Sequence, residues 1–257
     1  MRNFIFTMLI VFFSQIIYPH EFWMVSHGKP QVGNSISISA RVGETWPGEQ
    51  VIRYPNMINA LKVYYGFEKE GTPLSGRDNT HVFGHYKIKK PDTQTVVLET
   101  QSFQLMLSGK EFNQYLEEEG LDEALALRRK NNLLDTPTRE LFSRISKSHV
   151  HIGKDNAYMR VFGLPLEITI KSNLQQRTKT ELLITSNGRP VENQMIKAQL
   201  KEAHTKNLIA RTNKQGVAVF DLSKTGVWRL STVSIQPLNN GNIQWRSIWS
   251  STTIELK

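Results

Sequence analysis

Asn34-Ser35-Ile36-Ser37-Ile38-Ser39-Ala40-Arg41-Val42 decides how the chain is read. Apolar side chains fall at every second position, and a period of two puts them on one face of a strand whose other face is polar. Leu61 to Phe67, Thr80 to Ile88 and Thr95 to Phe103 repeat the pattern. Between them stand turn-forming pieces such as Gly71-Thr72-Pro73 and Lys90-Pro91-Asp92, so the stretch reads as consecutive antiparallel strands.

The period changes at Ser108. Phe112, Tyr115, Leu116, Leu121, Ala124, Leu125 and Leu127 recur at three- and four-residue spacings, and Ser108 stands three residues before Glu111 as a capping box. A second helix is expected from Thr136, where Pro137 suits a first turn and Leu141, Phe142 and Ile145 form a stripe. The helical insert is thus placed at about 108–150. Alternation returns after Gly163-Leu164-Pro165: Leu166 to Ile170, Leu182 and Ile184, Met195 to Leu200, Val217 to Phe220, Val227 to Ile235, and Ser247 to Leu256. Short strands joined by turns such as Asn187-Gly188-Arg189-Pro190 and Asn213-Lys214-Gln215-Gly216 make a small β-sandwich. The expected architecture is mainly β: a sandwich over 20–165 carrying a helical pair, then a smaller immunoglobulin-like sandwich over 166–257.

Residues 1–19 read differently. One basic residue, Arg2, precedes an apolar run from Phe4 to Tyr18, broken only by Thr7, Ser14 and Gln15. That is the form of a secretory leader and is short for a bilayer span, which needs about 20 residues. Cleavage after Ser14 and after Pro19 are both open, as is retention as an anchor. The expected location is periplasmic or secreted, with no stable membrane insertion once the leader is gone.

The chain has 257 residues, 32 Lys+Arg, 23 Asp+Glu, seven His and no Cys. Without cysteine there are no disulfides, thiolate metal sites, iron–sulfur clusters or cysteine nucleophiles. The net charge of +9 is concentrated after Pro165, where 13 basic residues face 6 acidic ones. Clustered Lys/Arg interleaved with aromatics is absent, so nucleic acid is not the expected partner. No His-Glu-x-x-His, Gly-x-Ser-x-Gly, phosphate-binding glycine loop or EF-hand loop occurs, which points away from an enzyme.

Five segments in order resemble the DUF4198 family of secreted bacterial proteins, formerly labelled as a nickel-uptake component. They are His20-Glu21-Phe22-Trp23, Tyr115 to Leu121, Arg139-Glu140-Leu141-Phe142-Ser143-Arg144, Gly163 to Glu167, and Trp245 to Ser251. The C-terminal part also resembles carboxypeptidase-regulatory and Cna-B modules, which are usually non-catalytic. Family members commonly carry small residues before the His-Glu-Phe-Trp segment, where this chain has Tyr18-Pro19, and often a histidine in the strand after Trp228, where it reads Leu230-Ser231-Thr232-Val233-Ser234.

The resemblance implies handling of a transition metal (nickel, cobalt, copper or zinc), with a membrane transporter or outer-membrane receptor as partner. Histidine is the strong nitrogen donor available. If cleavage falls after Pro19, His20 offers both an α-amino group and an imidazole to one ion. His149 and His151 on an extended segment share a face roughly 7 Å apart, within reach of one metal. His81 and His85 would need a bulge, which Gly84 can mark, or a helical turn. His27 and His204 read as surface residues, and the acidic run Glu117-Glu118-Glu119 as a solvated helix face balanced by Arg128-Arg129-Lys130. A minor reading is a copper oxidase with a histidine brace at His20. The alternative outside metal chemistry is an adhesion or scaffold module binding a protein or glycan; Trp245 and Trp249 share a face of an extended segment and read first as core packing between the sandwiches, a glycan platform being the other use of their rings.

Overall fold

The computed structural model describes residues 20–151, 153–174, 179–201, 203, 207–240 and 243–256. The leader expected over 1–19 and His204 lie outside them. The described strands are β1 (Phe22–His27), β2 (Ser35–Val42), β3 (Glu49–Gln50), β4 (Ile58–Tyr65), β5 (Thr72–Pro73), β6 (Val82–Lys87), β7 (Gln94–Thr100), β8 (Phe103–Leu107) and β9 (Thr138–His151). They continue with β10 (Glu167–Ile170), β11 (Thr180–Ser186), β12 (Arg189–Pro190), β13 (Met195–Leu200), β14 (Leu208–Arg211), β15 (Val217–Phe220), β16 (Gly226–Asn240) and β17 (Ile243–Leu256). Helices α1 (Gly109–Glu118) and α2 (Asp122–Lys130) stand between β8 and β9.

These strands form three sheets. One joins β1, β2, β3 and β6, a second joins β10, β11, β12 and β15, and the third runs β14-β13-β16-β17-β9-β7-β4-β5 with β8 beside β9. Every pairing is antiparallel except that of β17 with β9. The alternating residues named at the outset behave as the period demands: Ile36, Ile38 and Ala40 are all fully buried. With Phe22, Phe83, Leu61, Val63, Val96 and Leu98 they fill the first sandwich, between the first sheet and β4–β7. A second core around Leu166, Ile168, Leu182, Ile184, Ile196 and Leu230 lies between the second sheet and β13–β16–β17. Mainly β architecture with two sandwiches and a helical pair is therefore what the chain adopts. The sandwiches share the large sheet, so 20–165 and 166–257 each hold a core while one sheet passes through both.

The helical insert differs from its expected extent. Ser108 Oγ accepts the Glu111 N–H at 3.2 Å and Glu111 Oε2 accepts the Ser108 N–H at 2.9 Å, the expected reciprocal cap. The expected single helix then breaks at Gly120, whose φ of +62° is left-handed and favours glycine. The pair ends at Lys130, and 138–151 is strand β9 rather than a second helix. The misreading has a physical cause. Strand β9 is paired on both edges and covered on both faces along most of its length, so from Arg144 to Val150 every residue is buried and no alternation remains to be seen. Polar and charged residues inside it, Glu140, Arg144, Lys147 and His149, break the apolar run into a helical-looking spacing.

Arg128 is also not a surface charge. It is 1% exposed and donates to Asn113 Oδ1 (2.8 Å), Thr138 Oγ1 (2.6 Å), Leu133 O (2.5 Å) and Thr136 O (3.0 Å). It thereby satisfies the carbonyls of the link from α2 to β9. Arg128→Ala should cost about 3 kcal/mol by leaving these acceptors unpaired, measurable as a lower midpoint in urea.

Candidate functional site

His20 enters the structure at the start of β1, where the first sheet meets the helical pair and the C-terminal sandwich. Its Nδ1 lies 3.7 Å from Glu44 Oε1. The next residue, Glu21, is 5% exposed and pairs with Arg229, with Lys197 Nζ 3.9 Å away. Lys197 also holds Glu119 at 2.7 Å, and Arg229 stacks over Trp23 at 4.3 Å while donating to Glu44 O at 2.7 Å. A cleft of about 260 Å³ opens here, lined by His20, Glu44, Tyr115, Glu118, Glu119 and Lys197.

Burial pushes the Glu119 carboxyl up to about 7, against the opposing pull of Lys197. Beneath it, Glu140 Oε1 accepts from Tyr115 Oη at 3.4 Å and from Ser247 Oγ. Burial likewise pushes Glu140 up to about 7. The acidic run on α1 was expected to face water, and Glu119 does not. Its signal was present in the spacing: Phe112, Tyr115, Leu116 and Glu119 follow i, i+3, i+4, i+7, which sets Glu119 on the buried stripe.

The other histidines lie elsewhere. His149 is 3% exposed in β9; its Nδ1 and Thr95 Oγ1 are 2.9 Å apart, and its Nε2 has no hydrogen-bond partner among the described residues. Burial, reinforced by Lys147, pushes its pKa down to about 3. His151 is half-buried opposite Gln94, beyond a register shift between Gln94 and Thr95, which interrupts the regular strand on which the pair would share a face. His81 is exposed, its Nδ1–H donating to Val51 O at 3.2 Å, and His85 is exposed in β6 opposite Ser37. A bulge does occur between the positions paired with Ile38 and Ser39, next to Gly84. His27 bonds Ser39 Oγ at 2.7 Å. Among the described residues no three His, Asp or Glu side chains converge to hold a metal ion. His20 with Glu44 is the pairing that fits a metal's donors, needing a further ligand; His149, sealed in the sheet, does not fit.

His149 has a measurable consequence. The unfolded chain protonates it near its ordinary 6.5 and the folded chain only near 3, so in that window the unfolded state binds more protons and stability falls with acid. Glu119 and Glu140 act oppositely between about 7 and their ordinary 4.5, where the folded state binds more protons. His149→Gln should therefore make stability rise more steeply, or fall less, as the pH is lowered from 6.5 to 4.5 in denaturant titrations. An unchanged pH profile would show that His149 does not set it.

Trp245 and Trp249 are each 4% exposed. Phe112 lies 5.8 Å from Trp245 and Tyr115 stacks on Trp249 at 5.5 Å, so both rings are core beneath α1. They form no exposed glycan platform.

The fold and this corner define a two-sandwich β protein with a helical pair and a charged cleft beside β1. A family model described as "Domain of unknown function (DUF4198)" matches residues 17–236, and the chain belongs to that family. No curated protein matches it. Among solved structures, a chain described as the human OSCAR ligand-binding domain is similar at 9% identity, over 92% of this chain and 98% of that one, with a TM-score of 0.23. So loose a superposition carries no functional weight.

Proposed function

We propose that this DUF4198 protein is exported and works without catalysis, holding a transition metal ion (nickel, cobalt, copper or zinc) at His20 for an uptake or delivery partner at the membrane. The supporting observation is the placing of His20 beside Glu44 at the mouth of the acidic cleft. If the leader is removed after Pro19, the new α-amino group joins the imidazole on one residue, and Glu44 adds an oxygen. Two nitrogens and a carboxylate suit these divalent ions, and each nitrogen binds only when deprotonated. The same corner is poor for an oxidase brace, because the residues that line the two cavities beside His20 include no second imidazole. No helix among the described residues is long and apolar enough to cross a membrane. A scaffold that binds a protein or glycan is the alternative, and it would have to use rings other than Trp245 and Trp249.

Calorimetry with Ni(II), Co(II), Cu(II) and Zn(II) tests the proposal on a chain beginning at His20. One ion should bind per chain, at least tenfold more weakly after His20→Ala or when one extra residue precedes His20. Equal affinity in all three proteins would overturn it.

A further inference from the structure

A second cavity, of about 840 Å³, lies on the other side of His20. Its walls are the loop from Gly43 to Ile52, the start of β8 and the middle of β9, and they present Trp46, Met57, Phe103, Leu105 and Phe142. Arg144 also lines it. This arginine is 8% exposed, yet among the described residues no carboxylate pairs with it. Its guanidinium lies over the rings of Phe22 (5.4 Å) and Phe142 (5.1 Å). Nη2 makes one long bond to His20 O at 3.4 Å, and Nε has no hydrogen-bond partner among the described residues.

A buried cation without a counter-ion is costly, and a desolvated guanidinium recovers most by meeting a carboxylate with two parallel N–H bonds. The two rings contribute cation–π attraction but accept none of its N–H groups in the manner of a carboxylate, so an anion in the cavity would supply what they do not. Burial lowers the Arg144 pKa to about 10, which still leaves it charged at neutral pH. The cavity's other charged groups, Glu44 and Glu49, are exposed and acidic, which disfavours a doubly charged ligand such as phosphate.

We propose that this cavity binds a monocarboxylate with an apolar body, the carboxylate on Arg144 and the body against Trp46, Met57, Phe103 and Leu105. The site adjoins the proposed metal chelate, since His20 and Glu44 also line this cavity, but it needs no metal.

Octanoate, its neutral isostere octanamide, and inorganic phosphate are the probes, titrated calorimetrically into the full chain with a chelator present. Octanoate should bind at least tenfold more tightly than octanamide, and phosphate should not bind. Arg144→Met, with its folding checked by circular dichroism, should bring octanoate down to the octanamide level. Arg144→Lys should leave it at least threefold weakened, since lysine lacks the fork. The ligand series on the unsubstituted protein decides the matter even if Arg144→Met does not fold. No octanoate binding, equal binding of octanoate and octanamide, tighter binding of phosphate, or a folded Arg144→Met that keeps its octanoate affinity would each overturn the proposal.

Discussion

Glu167→Leu is expected to lower the stability of the folded chain by about 3–5 kcal/mol, which for a chain of this size is roughly 10 °C in Tm. Glu167 opens β10, and neither its side chain nor that of Lys147 is more than 1% exposed. Its Oε1 accepts from Lys147 Nζ at 2.7 Å, and the carboxylate also takes the backbone N–H groups of Phe162 (3.0 Å), Gly163 (2.9 Å) and Leu164 (3.3 Å). One carboxylate therefore joins the middle of β9 to the segment leading into the second sandwich. Leucine would leave three N–H groups without their acceptor and a buried ammonium without its partner. Burial already pushes the Lys147 pKa down, and Glu167 is what opposes it.

Lys147→Met should cost less, because the carboxylate keeps its backbone donors. The double variant Lys147→Met/Glu167→Leu should recover part of the Glu167→Leu loss, since no charge is then stranded, while the segment 162–164 stays unanchored. Urea unfolding followed by tryptophan fluorescence orders the variants. A wild-type midpoint for Glu167→Leu would show that water replaces the carboxylate freely.

Separating the chain at Pro165 should abolish folding of both pieces. Strand β17 pairs in parallel with β9 from Trp245–Glu140 to Ile254–His149, so a 166–257 fragment would expose that whole edge. It would also uncover Val233, Trp245 and Trp249, which pack under Phe112, Tyr115 and Leu116. Bare pairing edges and exposed aromatics favour aggregation over a monomeric fold. The 20–165 piece would lose the partner of its most buried strand, leaving Glu140 without Ser247. Each piece expressed alone should be insoluble or unfolded by circular dichroism, and co-expression should restore a soluble complex. A soluble, cooperatively unfolding 166–257 fragment would show that its core suffices without β9.

How much of this was legible in advance depended on whether one face of an element met water. Strand β2 and helix α1 are covered on one side, so their periods of two and about 3.6 appear in the residue order, and the capping box at Ser108 was readable with them. Strand β9 is covered on both sides, its period is erased, and Thr136-Pro137 supplied a false helix start. The histidines show the same limit. A strand spacing placed His149 and His151 together, but it could not show that His149 would be sealed inside a sheet or that the register would shift at Gln94.

Residue order alone determined the mainly β composition, the helical segment opened by the cap at Ser108, the absence of cysteine chemistry and the family membership. The tertiary structure decided that two sandwiches would share one sheet, that Glu21, Glu119, Lys197 and Arg229 would form one ionic cluster, and that Arg144 would be buried without a carboxylate partner. Periodicity records which side of an element is dry. The partner that a charge finds depends on side chains brought together from distant positions, such as Glu21 and Arg229, and no local spacing encodes that.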